Sequence, residues 1–367
     1  MKQALYRAAL SLLPPQISAV HHTGFSSQSE KELLSILRRH RCLGGVLRLF
    51  ELNGRVISSH FGMARRGLPA GEDTVFRIAS ISKTLTALCV LKLCEEGCLS
   101  LDADTGLFPR PVTIRQLLSH TAGILDGPAY WQGLRQGAPL SAMLPVSMED
   151  SLLGRWAYSN LGAGAVGSFL EERLGESFES IMQRILFEPL YVEASFYAQR
   201  VKGELADARR VFPPQLRPGF DALSRQARAD DGIDRPDPEH HYGLAQGNCC
   251  LSAENLQKLL TAVMRPGYLC EESLAQMKKP HAAFGLGRQR LDQGLFLFGL
   301  HDKDIFDGRL YGHQGKAYGA VHAAFFDEKA GRGMVFLSTG ISEARRGFLA
   351  DAVCDLLRFS FKEETWS

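Results

Sequence analysis

The sequence has almost no excess of charge of either sign. Its 42 Lys and Arg residues are nearly balanced by 40 Asp and Glu residues, which leaves a net charge of +2. The basic residues form no stripe and there is no acidic tail, so we expect no nucleic acid among the partners and no membrane-binding surface. The expected partner is a small-molecule or short-peptide substrate, and the sequence does not indicate an oligomeric state.

Long apolar runs are also missing. Near the N-terminus, Arg7 interrupts the apolar residues, and Pro14-Pro15 ends them before the hydrophobic region of a signal peptide can form. No later segment reaches the roughly 18 uninterrupted apolar residues that a membrane-spanning helix needs. We therefore expect a protein that has no membrane span and is located in the cytoplasm.

The eight cysteines do not form a recognisable metal site. Cys94 and Cys98 have the i, i+4 spacing of neighbours on a helix, but no CxxC or HxxxH pair completes a ligand set. In a chain without an export signal, reduced and mostly buried thiols are the simpler interpretation. We therefore expect no bound metal.

Two glycine-rich stretches resemble nucleotide-binding motifs. Residues 162–167 match the GxGxxG dinucleotide fingerprint, but no buried strand precedes them and no βαβ unit surrounds them. Residues 312–316 are too closely spaced for a P-loop, and Ala317 replaces the hydroxyl residue that would bind a metal. The glycines of 162–167 are better explained by close helix packing, so we expect no organic cofactor.

Strand patterns lie near both ends of the chain, and helical patterns fill its middle. Residues 45–51 and 55–62 are β-type runs around Asn53-Gly54, which strongly indicates a hairpin. Residues 80–96 are apolar nearly all round and end at Gly97, as expected for a buried helix. The later predicted elements are a helix at 252–264, strands at 294–300, 318–326 and 333–339, and a closing helix at 343–358.

These patterns predict an α/β (α+β) fold. An antiparallel sheet flanked by helices is built from both termini, and a mostly helical lobe is inserted into it. We expect an N-terminal extension over 1–30, a sheet domain formed by 31–104 and 251–367, and the helical lobe over 105–250. The irregular, proline-containing segment 201–240 within the lobe is a candidate wall of a substrate cleft.

The first chemical motif is Ser80 followed by Lys83, in the stretch FRIASISK. Residues three apart on a helix share a face. A serine hydroxyl needs a neighbouring base to become a nucleophile, and a buried lysine with a lowered pKa can supply that base. About one Ser-x-x-Lys is expected by chance in a chain of this length, and the alternative is a serine N-cap followed by a solvated lysine.

Two further motifs follow. The stretch WAYSN places Tyr158 and Asn160 before a helix, where a phenol with its pKa lowered by a nearby cation could exchange a proton and the amide could orient Lys83. A packed aromatic loop is the alternative. The stretch GHQGK places His313 and Gly315 on or beside a sheet edge, where glycine lets a backbone N–H approach a ligand. A lone histidine there is more often structural.

The three motifs, with Ser119-His-Thr-Ala-Gly123 between the first two, resemble a known family in sequence and order. This is the serine β-lactamase and penicillin-binding-protein family, which includes class C β-lactamases, DD-peptidases, D-aminopeptidases and related esterases. The resemblance extends roughly from Leu43 to Leu357. It implies a serine hydrolase that forms an acyl-enzyme and cleaves an amide or ester of a small peptide-like or acyl substrate.

The resemblance also implies roles for individual residues. Ser80 would be the nucleophile, Lys83 its proton acceptor, Tyr158 a partner base and then acid, and Asn160 a polar positioner. Further substrate-binding positions would be His313, Gln314 and Gly315. The oxyanion hole would be formed by the backbone N–H groups of Ser80 and Lys316. The mechanism requires no metal and no organic cofactor.

The third motif departs from that of class C β-lactamases. His313 replaces the usual lysine, and Gln314 replaces a small hydroxyl residue that helps to hold a substrate carboxylate. Both changes favour ester or amide substrates over β-lactams. The Lys316 side chain could contact an anionic substrate or point to solvent. The alternative functions are a true β-lactamase, a non-catalytic relative that binds a ligand or acts as a scaffold, and a polymer-forming relative.

Overall fold

The structure is a computed structural model that describes residues 2–212, 215–216, 234–286 and 289–366. Much of the predicted irregular segment 201–240 therefore lies outside the described residues. Within the described ranges, no helix combines the length and apolarity that crossing a bilayer requires.

The helices of the described residues occur throughout the chain. They are α1 Lys2–Ser11, α2 Ser27–Arg39, α3 Ile81–Glu95, α4 Ile114–Leu118, α5 Pro128–Gln136, α6 Leu140–Ser147, α7 Asn160–Leu174, α8 Phe178–Met182, α9 Tyr242–Gly247, α10 Ala253–Met264, α11 Glu271–Lys278 and α12 Asp351–Phe361. A π-helical turn at Gln183–Phe187 extends α8.

The strands of the described residues form one large sheet and smaller sheets of two or three strands. They are β1 Val20–Thr23, β2 Gly44–Glu51, β3 Val56–Arg65, β4 Leu68–Pro69, β5 Phe76–Arg77, β6 Ala122–Ile124, β7 Met148–Leu153, β8 Ala194–Ser195, β9 Arg209–Arg210, β10 Gln215–Leu216, β11 Cys250–Leu251, β12 Ala282–Leu286, β13 Gln289–Gln293, β14 Phe298–His301, β15 Leu310–Ala317, β16 Ala320–Asp327 and β17 Arg332–Gly340.

The large sheet confirms the predicted fold class. Its order is β1-β3-β2-β17-β16-β15-β14-β13-β12, and neighbouring strands are antiparallel. Strands from the two ends of the chain meet where β2 pairs with β17. The edge strand β1 comes from the stretch expected to be an extension, so the sheet begins before residue 31.

Both faces of this sheet are covered by helices. Val335 and Leu337 of β17 pack into one hydrophobic core with the buried residues of α3 and α10. Met334 and Phe336, which alternate with them, pack into a second core with α2 and α12. Because successive strand residues point to opposite faces, a strand buried on both sides is apolar throughout. The result is a sheet between two helical layers.

Some predicted boundaries are wrong. The strand expected to begin at residue 318 begins at Ala320, because Tyr318 and Gly319 have positive φ angles of 54° and 100° and form a two-residue turn. This hairpin turn puts Lys316 on β15 instead of before a strand. The closing helix was expected from 343 but begins at Asp351, and the small β6–β7 pair was not predicted.

Candidate active site

Ser80 lies at the junction between β5 and α3. The preceding residue, Ala79, has φ +50°, a conformation that a non-glycine residue adopts only under constraint. Ser80 is the N-cap residue of α3, but its hydroxyl makes no capping hydrogen bond. It is partly exposed, while the following residues are buried. The hydroxyl therefore does not stabilise the helix end, and the residue that carries it is within reach of solvent.

Lys83 is the buried partner of this serine. Its side chain is fully buried, with Nζ 3.3 Å from Ser80 Oγ, 2.9 Å from Asn160 Oδ1 and 2.5 Å from the backbone oxygen of Gln246. Burial lowers the pKa of Lys83 to about 7, and the negative charge of Asp126 opposes this lowering. The solvated-lysine alternative is therefore wrong, and a large fraction of Lys83 is neutral near pH 7.

Tyr158 lies against the same pair. Lys83 Nζ is 5.1 Å from the centroid of the Tyr158 ring. Burial raises the pKa of the Tyr158 phenol, a hydrogen bond with Ser80 lowers it, and the charge of Asp126 raises it. The condition that a nearby cation lowers this pKa is not met, because burial outweighs the other effects. The resting phenol is thus protonated.

Asp126 is a site residue that the sequence did not reveal. Its carboxylate accepts hydrogen bonds from the backbone N–H groups of Asn160 and Leu161, at 2.7 and 3.2 Å. It also accepts from the Asn160 amide at 2.9 Å and from the Ser159 hydroxyl at 2.7 Å. In the sequence, Asp126 is followed by Gly-Pro and suggests only a turn before a helix. No spacing signal links it to Asn160.

His120 positions the loop that carries Tyr158. It is buried, its backbone oxygen accepts from Ala157 N–H at 2.9 Å, and its Nδ1 accepts from Ser159 N–H at 3.2 Å. Its ring centroid is 4.4 Å from that of Tyr158. Burial, with a smaller effect of Lys83, holds the pKa of His120 well below its usual value. The histidine of the Ser-His-Thr-Ala-Gly segment is therefore a neutral packing partner of the phenol.

The backbone around Gln246 closes the site from the lobe. Gln246 lies on α9, and its side-chain oxygen accepts from the Tyr130 hydroxyl at 2.8 Å. A Cβ atom on the neighbouring Gly247 would lie 3.1 Å from the backbone carbon of Ala79. The lack of a side chain at Gly247 therefore lets α9 approach the turn before Ser80, which brings the Gln246 carbonyl to Lys83.

On the sheet side, His313 is buried and neutral. Its ring stacks on Phe298, with centroids 4.2 Å apart, and its centroid is 6.4 Å from that of Tyr158. Nδ1 lies 2.8 Å from the backbone oxygen of Gln314, which can accept a hydrogen bond only from a protonated Nδ1. Burial lowers the pKa of His313 to about 3, and the charge of Lys83 contributes to the lowering.

The third motif lies where β15 loses one neighbour. β14 pairs with β15 only as far as Gly312, so the residues after it pair with β16 alone. The expectation of a position beside a sheet edge is thus confirmed. A Cβ atom on Gly315 would be 2.2 Å from the backbone oxygen of Ile78. Only glycine allows the strand to approach the segment before Ser80 this closely.

The backbone N–H of Lys316 points toward the open side of β15. Its partner Val321 uses both backbone groups on the opposite side, where its N–H donates to the Ser338 hydroxyl and its C=O accepts from it. Lys316 and Val321 therefore form a pair without mutual hydrogen bonds. The Lys316 N–H consequently faces away from β16, toward the edge of β15 that β14 leaves unpaired.

The side chains of Gln314 and Lys316 are bound by the segment that precedes α12. Gln314 Oε1 accepts from the backbone N–H of Ala350 at 2.7 Å. Lys316 Nζ lies 3.4 Å from Glu343 Oε1, with 41% of the side chain exposed. The Gln314 side chain is thus anchored, and Lys316 combines an ion pair with solvent exposure.

Other features of the described residues concern packing. A Cβ on Gly164 would lie 2.6 Å from the Tyr242 backbone oxygen, and one on Gly167 would lie 2.9 Å from Ala245 Cβ. These glycines therefore serve close packing of α7 on α9, as the sequence indicated. In the described parts of the chain, no group of three or more His, Cys, Asp or Glu residues is arranged to hold a metal ion.

The fold is that of β-lactamase-like and transpeptidase-like proteins. EstCE1, a hydrolase with promiscuous acyltransferase activity, superposes with a TM-score of 0.70 at 21% identity, and the match covers 98% of each chain. The D-amino acid amidase of Ochrobactrum anthropi SV3 complexed with L-phenylalanine also has a TM-score of 0.70, at 19% identity, with 91% of this chain and 97% of that chain covered.

The chain belongs to the β-lactamase family, because the sequence model of the family described as Beta-lactamase matches residues 30–354. The esterase EstB of Burkholderia gladioli is 27% identical over 86% of this chain and 91% of its own length. The chain spans half or less of the length of the next relatives it matches. The relatives and structural neighbours include hydrolases named as esterase, amidase and D-aminopeptidase.

Proposed function

We propose that this protein is a serine hydrolase that is acylated on Ser80 and cleaves an ester or amide of a small acyl or peptide-like substrate. The observation that carries this proposal is the buried Lys83, whose Nζ lies 3.3 Å from Ser80 Oγ and whose pKa burial lowers to about 7. A neutral amine within hydrogen-bond reach is the base that a serine nucleophile requires.

In the acylation step, the Ser80 Oγ bonds to the substrate carbonyl carbon and its proton passes to neutral Lys83. Tyr158, protonated at rest and hydrogen-bonded to Ser80, donates its proton to the leaving oxygen or nitrogen as the bond to the acyl carbon breaks. The phenolate is reprotonated from Lys83. In deacylation, water bonds to the acyl carbon and the bond from that carbon to Ser80 Oγ breaks. One proton of the water passes to the Ser80 oxygen along the same route, and the carboxylic acid leaves.

The oxyanion that forms during both steps would be stabilised by two backbone N–H groups. One is that of Ser80, at the start of the 15-residue helix α3. The other is that of Lys316, which faces the open side of β15. Preorganised backbone donors directed at the developing charge are a major source of rate enhancement in acyl transfer.

The sheet side favours a neutral substrate. A β-lactam carries a carboxylate, but His313 is uncharged near pH 7 because burial lowers its pKa to about 3. The Gln314 oxygen is already bonded to Ala350, which reduces its freedom to rearrange for an anion. The relative EstB is named as an esterase, which supports ester cleavage here. We therefore place small esters and N-acyl or D-amino-acid amides before penicillins and cephalosporins.

The test compares turnover across these classes. We expect kcat/KM for p-nitrophenyl esters or D-amino-acid amides to exceed that for nitrocefin, and Ser80→Ala to abolish turnover. Intact-mass measurement against a panel of acyl donors detects acylation even when deacylation is slow. A kcat/KM for nitrocefin equal to or above the best ester or amide would restore the β-lactamase alternative. Acylation of no donor would support the non-catalytic alternative.

A further inference from the structure

Resting on the proposed function, we propose that Asp126 is a positioning residue that fixes the amide of Asn160 and, through it, Lys83. The Asp126 carboxylate and the Lys83 amino group do not contact one another. They lie on opposite sides of the Asn160 side chain, which hydrogen-bonds to both. Asp126 thus acts on the base through a neutral intermediary.

The orientation of the Asn160 amide follows from the chemistry of its two neighbours. An ionised carboxylate can only accept hydrogen bonds. Lys83 Nζ donates to Asn160 Oδ1 and to the backbone oxygen of Gln246, and it has enough N–H groups for both bonds whether it is charged, with three, or neutral, with two. The amide must therefore turn its NH₂ group to Asp126 Oδ2, at 2.9 Å, and its oxygen to Lys83 Nζ, at 2.9 Å. If the amide were flipped, its NH₂ group would face the N–H groups of Lys83 and its oxygen would face the Asp126 carboxylate. Asp126 consequently ensures that an acceptor faces the lysine.

Asp126 is itself firmly held. Its two oxygens accept four hydrogen bonds, including those from the backbone N–H groups of Asn160 and Leu161 in the first turn of the 15-residue helix α7. A carboxylate at a helix N-terminus is also favoured by the free N–H groups and the helix dipole. The charge therefore stays at a fixed distance from Lys83.

The fixed charge gives Asp126 a second effect on the base. Besides Asp126, the titratable groups that face Lys83 are Tyr158, His120 and His313, and each is neutral near pH 7 because burial shifts its pKa away from that range. The negative charge of Asp126 raises the pKa of Lys83 against the larger lowering by burial. Asp126 thereby limits the lowering of the Lys83 pKa, which stays at about 7.

The experiment removes the negative charge in one variant, places it at position 160 in a second variant, and follows the titration of Lys83 in each. In Asp126→Asn the charge is absent, so the acid limb of the kcat/KM against pH profile should move to lower pH. In the double variant Asp126→Asn with Asn160→Asp, the charge contacts Lys83 directly, so the limb should move above its wild-type position. Asp150→Asn is the matched control: its side chain is 88% exposed, and the limb should not move.

If Asp126 had only a structural role, the variants would change activity and melting temperature. The midpoint of the acid limb would not fall in Asp126→Asn and rise in the double variant. The same midpoint in all four proteins, or a limb that moves in the same direction in both Asp126 variants, would overturn the proposal. Titration of the Lys83 Nζ by ¹⁵N NMR, with the signal assigned by its loss in Lys83→Ala, gives the order without turnover. It therefore separates failure of the Asp126 proposal from failure of the serine hydrolase proposal, which Ser80→Ala tests.

Discussion

The two walls of the candidate cleft differ in the kind of side chain that forms them. The wall formed by α3, α7 and α9 is polar: Lys83 makes three hydrogen bonds there, and Asp126 accepts four. The sheet wall is aromatic and uncharged around His313, which stacks on Phe298, while its charged residue Lys316 is partly exposed and ion-paired with Glu343. Of the two walls, the first holds the buried lysine.

The difference between the walls bears on how each one treats a buried titratable side chain. A buried lysine is costly unless its hydrogen bonds are satisfied, and the helical wall supplies the acceptors while still leaving the pKa of Lys83 at about 7. On the sheet wall, His313 Nδ1 donates to the backbone oxygen of Gln314, and the buried Nε2 has no hydrogen-bond partner among the described atoms. We infer that the helical wall moves protons and that the sheet wall shapes and orients the substrate.

The aromatic character of the sheet wall extends beyond His313. Phe298 also contacts Phe348, with ring centroids 5.4 Å apart, and Phe284 stacks on Trp156 at 3.8 Å with parallel rings. Trp156 is two residues from Tyr158, at a centroid separation of 6.4 Å. The aromatic surface thus reaches from the third motif to the second, and its lack of charge suits an uncharged acyl donor.

The largest effect is expected from removing the base. Lys83→Ala should lower kcat by on the order of 100-fold or more, as is typical for loss of a general base. Steady-state kinetics with a p-nitrophenyl ester measures the loss. Lys92→Ala on the same helix, where the lysine is partly exposed and 3.5 Å from Glu95, is the control and should retain activity. Near-normal turnover without Lys83 would remove the helical wall from proton transfer.

A comparable but smaller loss is expected at the phenol. Tyr158→Phe keeps the ring packing against His120 but removes the hydroxyl that transfers the proton, so kcat should fall by on the order of 100-fold. Tyr311→Phe, at a sheet tyrosine that contacts Arg309, is the control. If both variants kept the wild-type rate constant in single-turnover experiments, Tyr158 would have no part in the chemical step.

The third effect tests the close approach of the sheet wall. Gly315→Ala places a Cβ atom 2.2 Å from the Ile78 backbone oxygen, so β15 must shift away from Ser80 and the Lys316 N–H moves with it. We expect kcat/KM to fall by about 10-fold or more, since oxyanion donors act only at hydrogen-bond distance, and the melting temperature to fall as well. Gly71→Ala, where a Cβ atom meets nothing within 4 Å, should be neutral in both measurements. An unchanged kcat/KM in Gly315→Ala would contradict the inferred contact.

The smallest effect is expected at the buried histidine. Because burial lowers the pKa of His313 to about 3, the ring becomes charged only as the pH falls through that value. His313→Gln should therefore leave the shape of the kcat/KM profile between pH 5 and 8 unchanged, while the rate with neutral esters falls less than 10-fold. Loss of the acid limb near pH 7 in this variant would show that His313, and not Lys83, titrates there.

Local patterns in the sequence were sufficient for the fold. The Asn53-Gly54 hairpin, the buried helix α3 and the strands at both ends were predictable because each depends on residues close in sequence. The turn at Tyr318 and Gly319 was not, because a tyrosine with positive φ carries no turn signal. The start of α12 was also missed, since the preceding segment binds Gln314 instead of continuing the helix.

The candidate site likewise contains contacts that local sequence patterns predict and contacts that they do not. Ser80 and Lys83 are one helical turn apart, so their proximity follows from spacing. Lys83 and Gln246 are separated by 163 positions, and Asn160 and Asp126 by 34, so no local pattern joins them. The raised pKa of Tyr158 could not be predicted for the same reason, because burial of the phenol depends on the whole fold.

The most direct test of the account is covalent labelling of the nucleophile. The protein is treated with a fluorophosphonate at pH 8, its intact mass is measured, and the label is located by peptide mapping. The account predicts one label per chain, on Ser80, formed much more slowly in Lys83→Ala and absent in Ser80→Ala. A label on any other residue, or equal labelling of Ser80→Ala, would contradict the claim that Ser80 and Lys83 form the reactive centre.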